Sequence, residues 1–322
     1  MITRVRGVRV GHAHDRQAIT GCTALLFERG ARFGLFVAGM ASGTRACDAG
    51  REEHLNDEIH GIVLAGGSNY GLDAAGGAMR FLEERGIGFP VGPTVVPIVP
   101  SAILFDLGIG DHRVRPDAEM GYRACESATD GPVVEGCVGA GTGATVGKLF
   151  GLARAMKSGL GTACVESPYG PVGALAVVNA FGDIKHPETG ELLAGVRDEA
   201  GTRLISMAEL MRQGVVRRRF SPPPVPPQNT TLAVVAVEVE LSKPELSRLA
   251  RLADQAIVNT HSPAHTTFDG DVIFAISTRV RQGDCDLNHL ALFAQQALEE
   301  AIVRAATRAE GLGGLPARRD LL

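Results

Sequence analysis

Apolar and polar positions alternate in short, glycine-broken runs through the first third of this chain and settle into longer regular runs toward the end. Residues 8–12, 23–28 and 34–40 carry apolar and β-branched residues at strand spacing. Residues 61–65 form an apolar strand running into Gly66-Gly67, and a helix is predicted over 70–84, ending near Gly86. Residues 95–107 are also largely apolar, broken by Pro97 and Pro100. Residues 173–178 read as a buried strand ending at Asn179, and the Glu188-Thr189-Gly190-Glu191 turn predicts two antiparallel strands joined there.

The last third is the most regular. Residues 229–237, Asn-Thr-Thr-Leu-Ala-Val-Val-Ala-Val, read as a central strand. Ser242 and Glu245 form a capping-box pattern, and the helix after them places Leu246, Leu249, Ala250, Ala253, Ala256 and Ile257 on one face. Residues 271–278 predict a further strand. Residues 286–310 predict a long helix with Leu290, Phe293, Ala297, Ala301 and Ala305 inward, followed by a loose tail after Gly311. Between these runs, residues 221–228 (Ser-Pro-Pro-Pro-Val-Pro-Pro-Gln) read as an extended linker, because proline fixes φ and removes a backbone donor.

Composition narrows the class. Of 322 residues, 45% are hydrophobic and 21% charged, enough for a large core, and no composition break demands a second domain. The net charge of −4 argues against nucleic-acid or anionic-membrane partners, which want a basic face. No apolar run is long enough to span a membrane, and the N-terminus lacks a signal-peptide pattern, so a cytoplasmic protein is expected. The six cysteines, Cys22, Cys47, Cys125, Cys137, Cys164 and Cys285, are irregularly spaced with no C-x-x-C pair and read as free thiols.

The candidate chemistry begins where the linker meets the core strand. A cut between Asn229 and Thr230 would leave a threonine with an α-amine of pKa roughly 7.7–8.0, a nucleophile and a base in one residue. A plain loop-to-strand junction reads the same composition equally well. Asp269 and Asp271, in His265-Thr266-Thr267-Phe268-Asp269-Gly270-Asp271, project to one side of an extended chain and suit an ammonium or hydroxyl, or else a solvated turn. The Asn179 amide is placed to donate to an oxyanion or to cap a turn. Lys148, ending the run Gly139-Ala140-Gly141-Thr142-Gly143-Ala144-Thr145-Val146-Gly147-Lys148, reads as a modulator of a nearby amine or as a surface lysine. The run is not a P-loop: Thr142 and Leu149 replace the required Gly and Ser/Thr. Nor does Ser68 sit in a nucleophile elbow, since Tyr70 replaces its final glycine. His261 and His265, four apart with Asp269 and Asp271 beyond, leave a metal-dependent hydrolase as an alternative, although Pro263 disfavours the helix that spacing needs. An uncut, non-enzymatic small-molecule-binding protein is the other.

Several motifs in order make the resemblance specific: Gly7-Val8-Arg9-Val10-Gly11-His12, Leu64-Ala65-Gly66-Gly67-Ser68-Asn69-Tyr70-Gly71, Val99-Pro100-Ser101-Ala102-Ile103-Leu104-Phe105-Asp106, Gly139-Ala140-Gly141-Thr142-Gly143, Asn229-Thr230-Thr231 and Asp269-Gly270-Asp271. Over nearly its whole length the sequence resembles the DmpA-like aminopeptidases, a family of L-aminopeptidase/D-amidase-esterases, β-peptidyl aminopeptidases and nylon-oligomer hydrolases. The resemblance implies an α/β fold, a four-layer αββα sandwich of N-terminal-nucleophile-hydrolase type. It implies cleavage into 1–229 and 230–322 that stay together as one domain, assembly as a homotetramer, and hydrolysis of a small peptide or amide with no metal or organic cofactor. It further implies Thr230 as nucleophile, Asn179 as oxyanion donor, Asp269 and Asp271 holding the nucleophile and its amine, and Lys148, or less directly Lys157, as the lysine of the nylon-oligomer branch. Phe105 stands where some relatives have a pocket tyrosine, which implies a different substrate preference.

Overall fold

The computed structural model describes residues 1–216 and 229–321. The proline-rich stretch at 221–228 lies outside the described residues.

The organising element is the 18-residue strand Thr20–Val37, longer than either strand predicted within it. It belongs to two sheet layers. Residues 22–26 pair with Ile59–Ala65, and residues 32–37 pair with Val272–Arg281; between them the register shifts at a bulge. A bulge bends and twists a strand, so one strand can cross from one sheet to the next. The nine-stranded path then folds over on itself. One layer holds Leu160–Ser167, Gly170–Asn179, Thr230–Val239 and Val272–Arg281, in that order. The other holds Arg9–Asp15, Ile59–Ala65 and Ser101–Ile103 around the first half of the long strand.

Side-chain alternation fixes the layers. Along Thr230–Val239 every residue is buried. Leu232, Val234 and Ala236 face the first half of the long strand in a core shared with Leu25, Phe27, Ile62, Leu64 and Phe274. Ala233, Val235 and Val237 face the other way, into a core built with the helices Lys243–Ala253, Gln255–Thr260 and Leu287–Arg308. The helices Ala74–Glu83 and Ala118–Glu126 cover the opposite outer face, over Ala24, Leu26, Val63 and Ala65. This is the expected αββα sandwich. A strand buried on both faces reads as a continuous apolar run, which is why 229–237 was legible.

Ser242 and Glu245 do form the capping box, and strands Asp183–Lys185 and Leu192–Ala194 pair antiparallel across the predicted turn. Four expectations need correction, and two elements went unread; the first correction is that the helix after Ser242 ends at Ala253, and Ala256 and Ile257 lie on a second, Gln255–Thr260. The helix over 70–84 begins only at Ala74, after a 3-10 turn at Ser68–Asp73. The third predicted strand ends at Val37, and its last residues instead cross the 269–271 turn. Strand Leu160–Ser167 and helix Ala118–Glu126, N-capped by the Asp117 carboxylate on Met120 N–H at 2.8 Å, are the two unread elements. The tail after Gly311 is anchored rather than loose: Ala317 is buried, and Arg318 donates to the Leu192 carbonyl and pairs with Glu191. The high glycine content has a packing reason at one crossing. A Cβ on Gly77 or Gly121 would collide with the backbone of the facing helix, so the Ala74–Glu83 and Ala118–Glu126 helices touch backbone to backbone.

Candidate active site

Asn179 ends the Gly170–Asn179 strand and Thr230 opens Thr230–Val239, and the antiparallel register sets the two directly opposite. Both are buried, as is Asn229. Asn229 bridges to Asp269: its N–H donates to the Phe268 carbonyl at 2.9 Å, and its carbonyl accepts the Gly270 N–H at 2.6 Å. The Thr230 hydroxyl donates to that same carbonyl oxygen at 2.6 Å. Two short donors on one carbonyl draw electrons from its carbon and mark where negative charge would be held if that carbon were attacked.

The 269–271 turn is held from outside by residues 38–41. Ala41 N–H donates to the Asp269 carbonyl at 3.0 Å, and Ala38 N–H to the Asp271 carbonyl at 3.0 Å. A Cβ on Gly270 would run into the Ala41 backbone, so only glycine lets the two segments lie this close.

The Asn179 side chain uses its Oδ1 and one of its two Nδ2 hydrogens. Its Nδ2 donates to the Phe105 carbonyl at 3.1 Å. Its Oδ1 accepts from Thr145 N–H at 3.0 Å and from Lys148 Nζ at 2.7 Å. Lys148 Nζ also donates to the Asn179 backbone carbonyl at 3.1 Å. An ammonium on the amide oxygen polarises the amide and strengthens Nδ2 as a donor. Lys157 stands elsewhere: its buried Nζ donates to the Thr142 and Ala144 carbonyls at 2.8 and 2.7 Å, tying down the glycine-rich turn. Burial pushes this ammonium down to about 8, against the pull of Cys137 and Asp106. Asp106 in turn accepts from Thr20 Oγ1 and Gly67 N–H, and burial raises its carboxyl. The Phe105 ring is half-buried beside it.

The two carboxylates do not share a task. Asp269 Oδ1 accepts the Phe181 N–H at 3.0 Å, and its Oδ2 accepts the Thr266 N–H and hydroxyl at 2.9 and 2.6 Å. Asp271 Oδ1 accepts the N–H of Thr231, the residue after the candidate nucleophile, at 2.7 Å. Its Oδ2 lies 3.0 Å from His265 Nδ1. Burial raises the Asp271 carboxyl, with His265 pulling it down and Asp269 pushing it up. In the uncut chain both side chains accept from backbone N–H groups around Thr230: Asp269 from Phe181 and Thr266, Asp271 from Thr231.

The residues of the metal alternative are engaged with other partners. His261 lies in the short strand His261–Ser262, not on a helix with His265. Its ring sits between the Thr260 and Thr231 hydroxyls at 3.0 and 2.9 Å, and burial pushes it down to about 3. His265 is held by Asp254 and Asp271. Among the described residues, no group of three or more His, Cys, Asp or Glu side chains could hold a metal ion. Sequence reading gave Gly270 no role of its own and missed Asp254. A backbone N–H leaves no mark in a sequence, and Asp254 sits 17 positions from Asp271 on another element.

Comparison with known proteins places this geometry. The family model described as peptidase family S58 matches residues 1–319. An uncharacterized aminopeptidase of Mycobacterium leprae is 34% identical, covering 98% of this chain and 92% of its own. A 6-aminohexanoate-oligomer endohydrolase of Kocuria sp. (strain KY2) is 31% identical over 84% of this chain and 73% of its own. Among solved structures, the L-aminopeptidase D-Ala-esterase/amidase of Ochrobactrum anthropi, a variant of the Ntn hydrolase fold, aligns with a TM-score of 0.71. That alignment has 22% identity and covers 98% of this chain and 88% of that one. No described helix is long and apolar enough to cross a membrane.

Proposed function

The chain belongs to peptidase family S58, and we propose that it is a self-cleaving amidohydrolase that cuts itself between Asn229 and Thr230 and then uses Thr230 as an N-terminal nucleophile. The observation that carries this reading is the pair of 2.6 Å hydrogen bonds, from Thr230 Oγ1 and Gly270 N–H, on the Asn229 carbonyl oxygen.

Processing begins when the Thr230 oxygen attacks the Asn229 carbonyl carbon. The oxyanion that forms is held by Gly270 N–H, the proton released by the hydroxyl passes to the Thr230 nitrogen as the C–N bond breaks, and that nitrogen leaves as an amine. The resulting ester between Asn229 and the Thr230 oxygen is opened by water, giving an Asn229 carboxylate and a restored hydroxyl. In turnover the Thr230 amine takes the hydroxyl proton, and the oxygen attacks a substrate carbonyl. The leaving amine collects that proton, and water releases the acyl group. Asn179, polarised by Lys148 and directly opposite Thr230, is the side-chain oxyanion donor, Phe105 lines the pocket, and Asp269 and Asp271 brace the turn and strand. Losing one such donor costs about 2.7–4 kcal/mol.

The two products, 1–229 and 230–322, stay associated because Thr230–Val239 lies between Gly170–Asn179 and Val272–Arg281. Separation would expose an entirely buried strand. The proposed substrates are short peptides, β-peptides or ω-amino-acid oligomers, in line with what the relatives are named for, and the proposed assembly is a homotetramer.

A denaturing mass spectrum tests the reading. Two pieces, the smaller beginning at Thr230, are expected. One intact chain that persists on incubation would overturn it in favour of an uncut binding protein.

A further inference from the structure

The mechanism above leaves one charged cluster beside the nucleophile without a task. His265 stands between Asp254, at the junction of the Lys243–Ala253 and Gln255–Thr260 helices, and Asp271, at the entry to the Val272–Arg281 strand. Its Nε2 lies 3.0 Å from Asp254 Oδ2 and its Nδ1 3.0 Å from Asp271 Oδ2. An ionised carboxylate only accepts, so with both carboxylates ionised both ring nitrogens donate and the ring is an imidazolium. His265 also holds φ at +48°, a left-handed conformation that a non-glycine residue keeps only where its surroundings enforce it.

What this cluster touches is the nucleophile's neighbour. The other oxygen of Asp271 accepts the Thr231 N–H, and the Thr231 hydroxyl lies 2.9 Å from His261 Nε2. Once the 229–230 bond is cut, Thr230 has no covalent tether on its amino side. Thr231 is then its nearest anchor, held at both its N–H and its hydroxyl.

We propose that His265 is a positioning residue of this site: clamped by Asp254, it fixes the charge and aim of the Asp271 carboxylate, which holds Thr231 and through it Thr230. The inference rests on the self-cleaving threonine reading. The groups facing His265 are Asp254 from the helix junction, Asp271 and beyond it Asp269 from the turn, and His261 from its short strand. Hydrogen bonds to Asp254 and Asp271 push His265 up to about 10, so it stays charged through neutral pH. Without it, Asp271 faces Asp269 alone and needs a higher pH to ionise.

The test is the pH dependence of kcat/KM for the purified full-length protein on a panel of aminoacyl p-nitroanilides, with chain processing followed in cell-free synthesis. His265→Gln is expected to lower kcat/KM about 10-fold and to move the acid limb up by about one pH unit. That limb carries the Thr230 amine as well as Asp271, and loss of the imidazolium lets both groups keep their protons to higher pH. Asp254→Asn leaves His265 on Asp271 but lowers its proton affinity, so the alkaline limb moves down. Profiles for both variants with the wild-type shape, at whatever height, overturn the inference. If His265→Gln does not fold, the alkaline limb of Asp254→Asn decides alone. Thr230→Ala separates the two readings. If Thr230→Ala is still cut, the self-cleavage reading itself fails. If Thr230→Ala is uncut and inactive while both other variants keep the wild-type profile shape, only the role of His265 fails.

Discussion

The Gly270 N–H points at the carbonyl oxygen of Asn229 from 2.6 Å, and the hydroxyl of Thr230 reaches the same atom from the other side of the peptide bond. Asn179, the amide directly opposite Thr230, is instead committed to Phe105, Thr145 and Lys148. The Asn229–Thr230 peptide therefore has a backbone donor on its carbonyl, separate from the side-chain donor proposed for turnover. Four predictions rest on this division of labour.

Thr230→Ala removes the attacking oxygen. It should leave the chain in one piece and reduce hydrolysis by on the order of 10⁴-fold or more. Thr230→Ser keeps a hydroxyl and should retain part of both activities. Intact mass and initial rates on the same preparations check this. Full activity in the alanine variant would rule out the mechanism.

Gly270→Ala puts a methyl group into the Ala41 backbone and displaces the 269–271 turn. The donor on Asn229 should be lost, slowing processing roughly 10²–10³-fold, the scale of one oxyanion donor. A time course of precursor disappearance on gels reads this. Processing at the wild-type rate would mean that the Gly270 N–H is not the donor.

Lys148 and Lys157, both buried, should separate cleanly. Lys148→Met removes the ammonium on Asn179 Oδ1 and should cut kcat of the mature form by about 10²-fold. Lys157→Met leaves the Thr142 and Ala144 carbonyls without their donor. It should lower stability by about 1–3 kcal/mol while kcat per folded molecule barely changes. Denaturant unfolding alongside kcat tests both, and the reverse pattern would exchange the two roles.

The pH dependence of stability follows from His265. Its folded value is raised to about 10 by Asp254 and Asp271, against roughly 6.5 unfolded. The folded state then binds more protons between those values, so stability from this group falls as pH rises. The gap between wild type and His265→Gln should be widest below about 6.5 and should close as pH rises through about 10. Urea unfolding of both proteins across this range measures it. A gap that widens with pH would reverse the assignment of charge to His265.

Much of this was written along the chain. The central strand announced itself because burial on both faces demands an unbroken apolar run, and Asn229-Thr230 stood at its head. The Ser242 capping box and the turn at Glu188–Glu191 needed only local chemistry, and the motif order carried the family. What the sequence could not decide was where polar side chains would spend their hydrogen bonds. Asp269 and Asp271 look alike in Asp-Gly-Asp, yet one braces a turn and the other holds Thr231 and His265. Lys148 closes a glycine-rich run and Lys157 opens Lys157-Ser158-Gly159-Leu160-Gly161, yet only Lys148 reaches Asn179. Gly270 stood in the motif with no role of its own, yet its N–H donates to the Asn229 carbonyl. Local patterns set which residues are buried, since burial follows the periodicity of each element. Partnership is a relation between elements, and only the packing of the four layers brings residues 148, 179, 230, 254 and 270 to one end of one sheet.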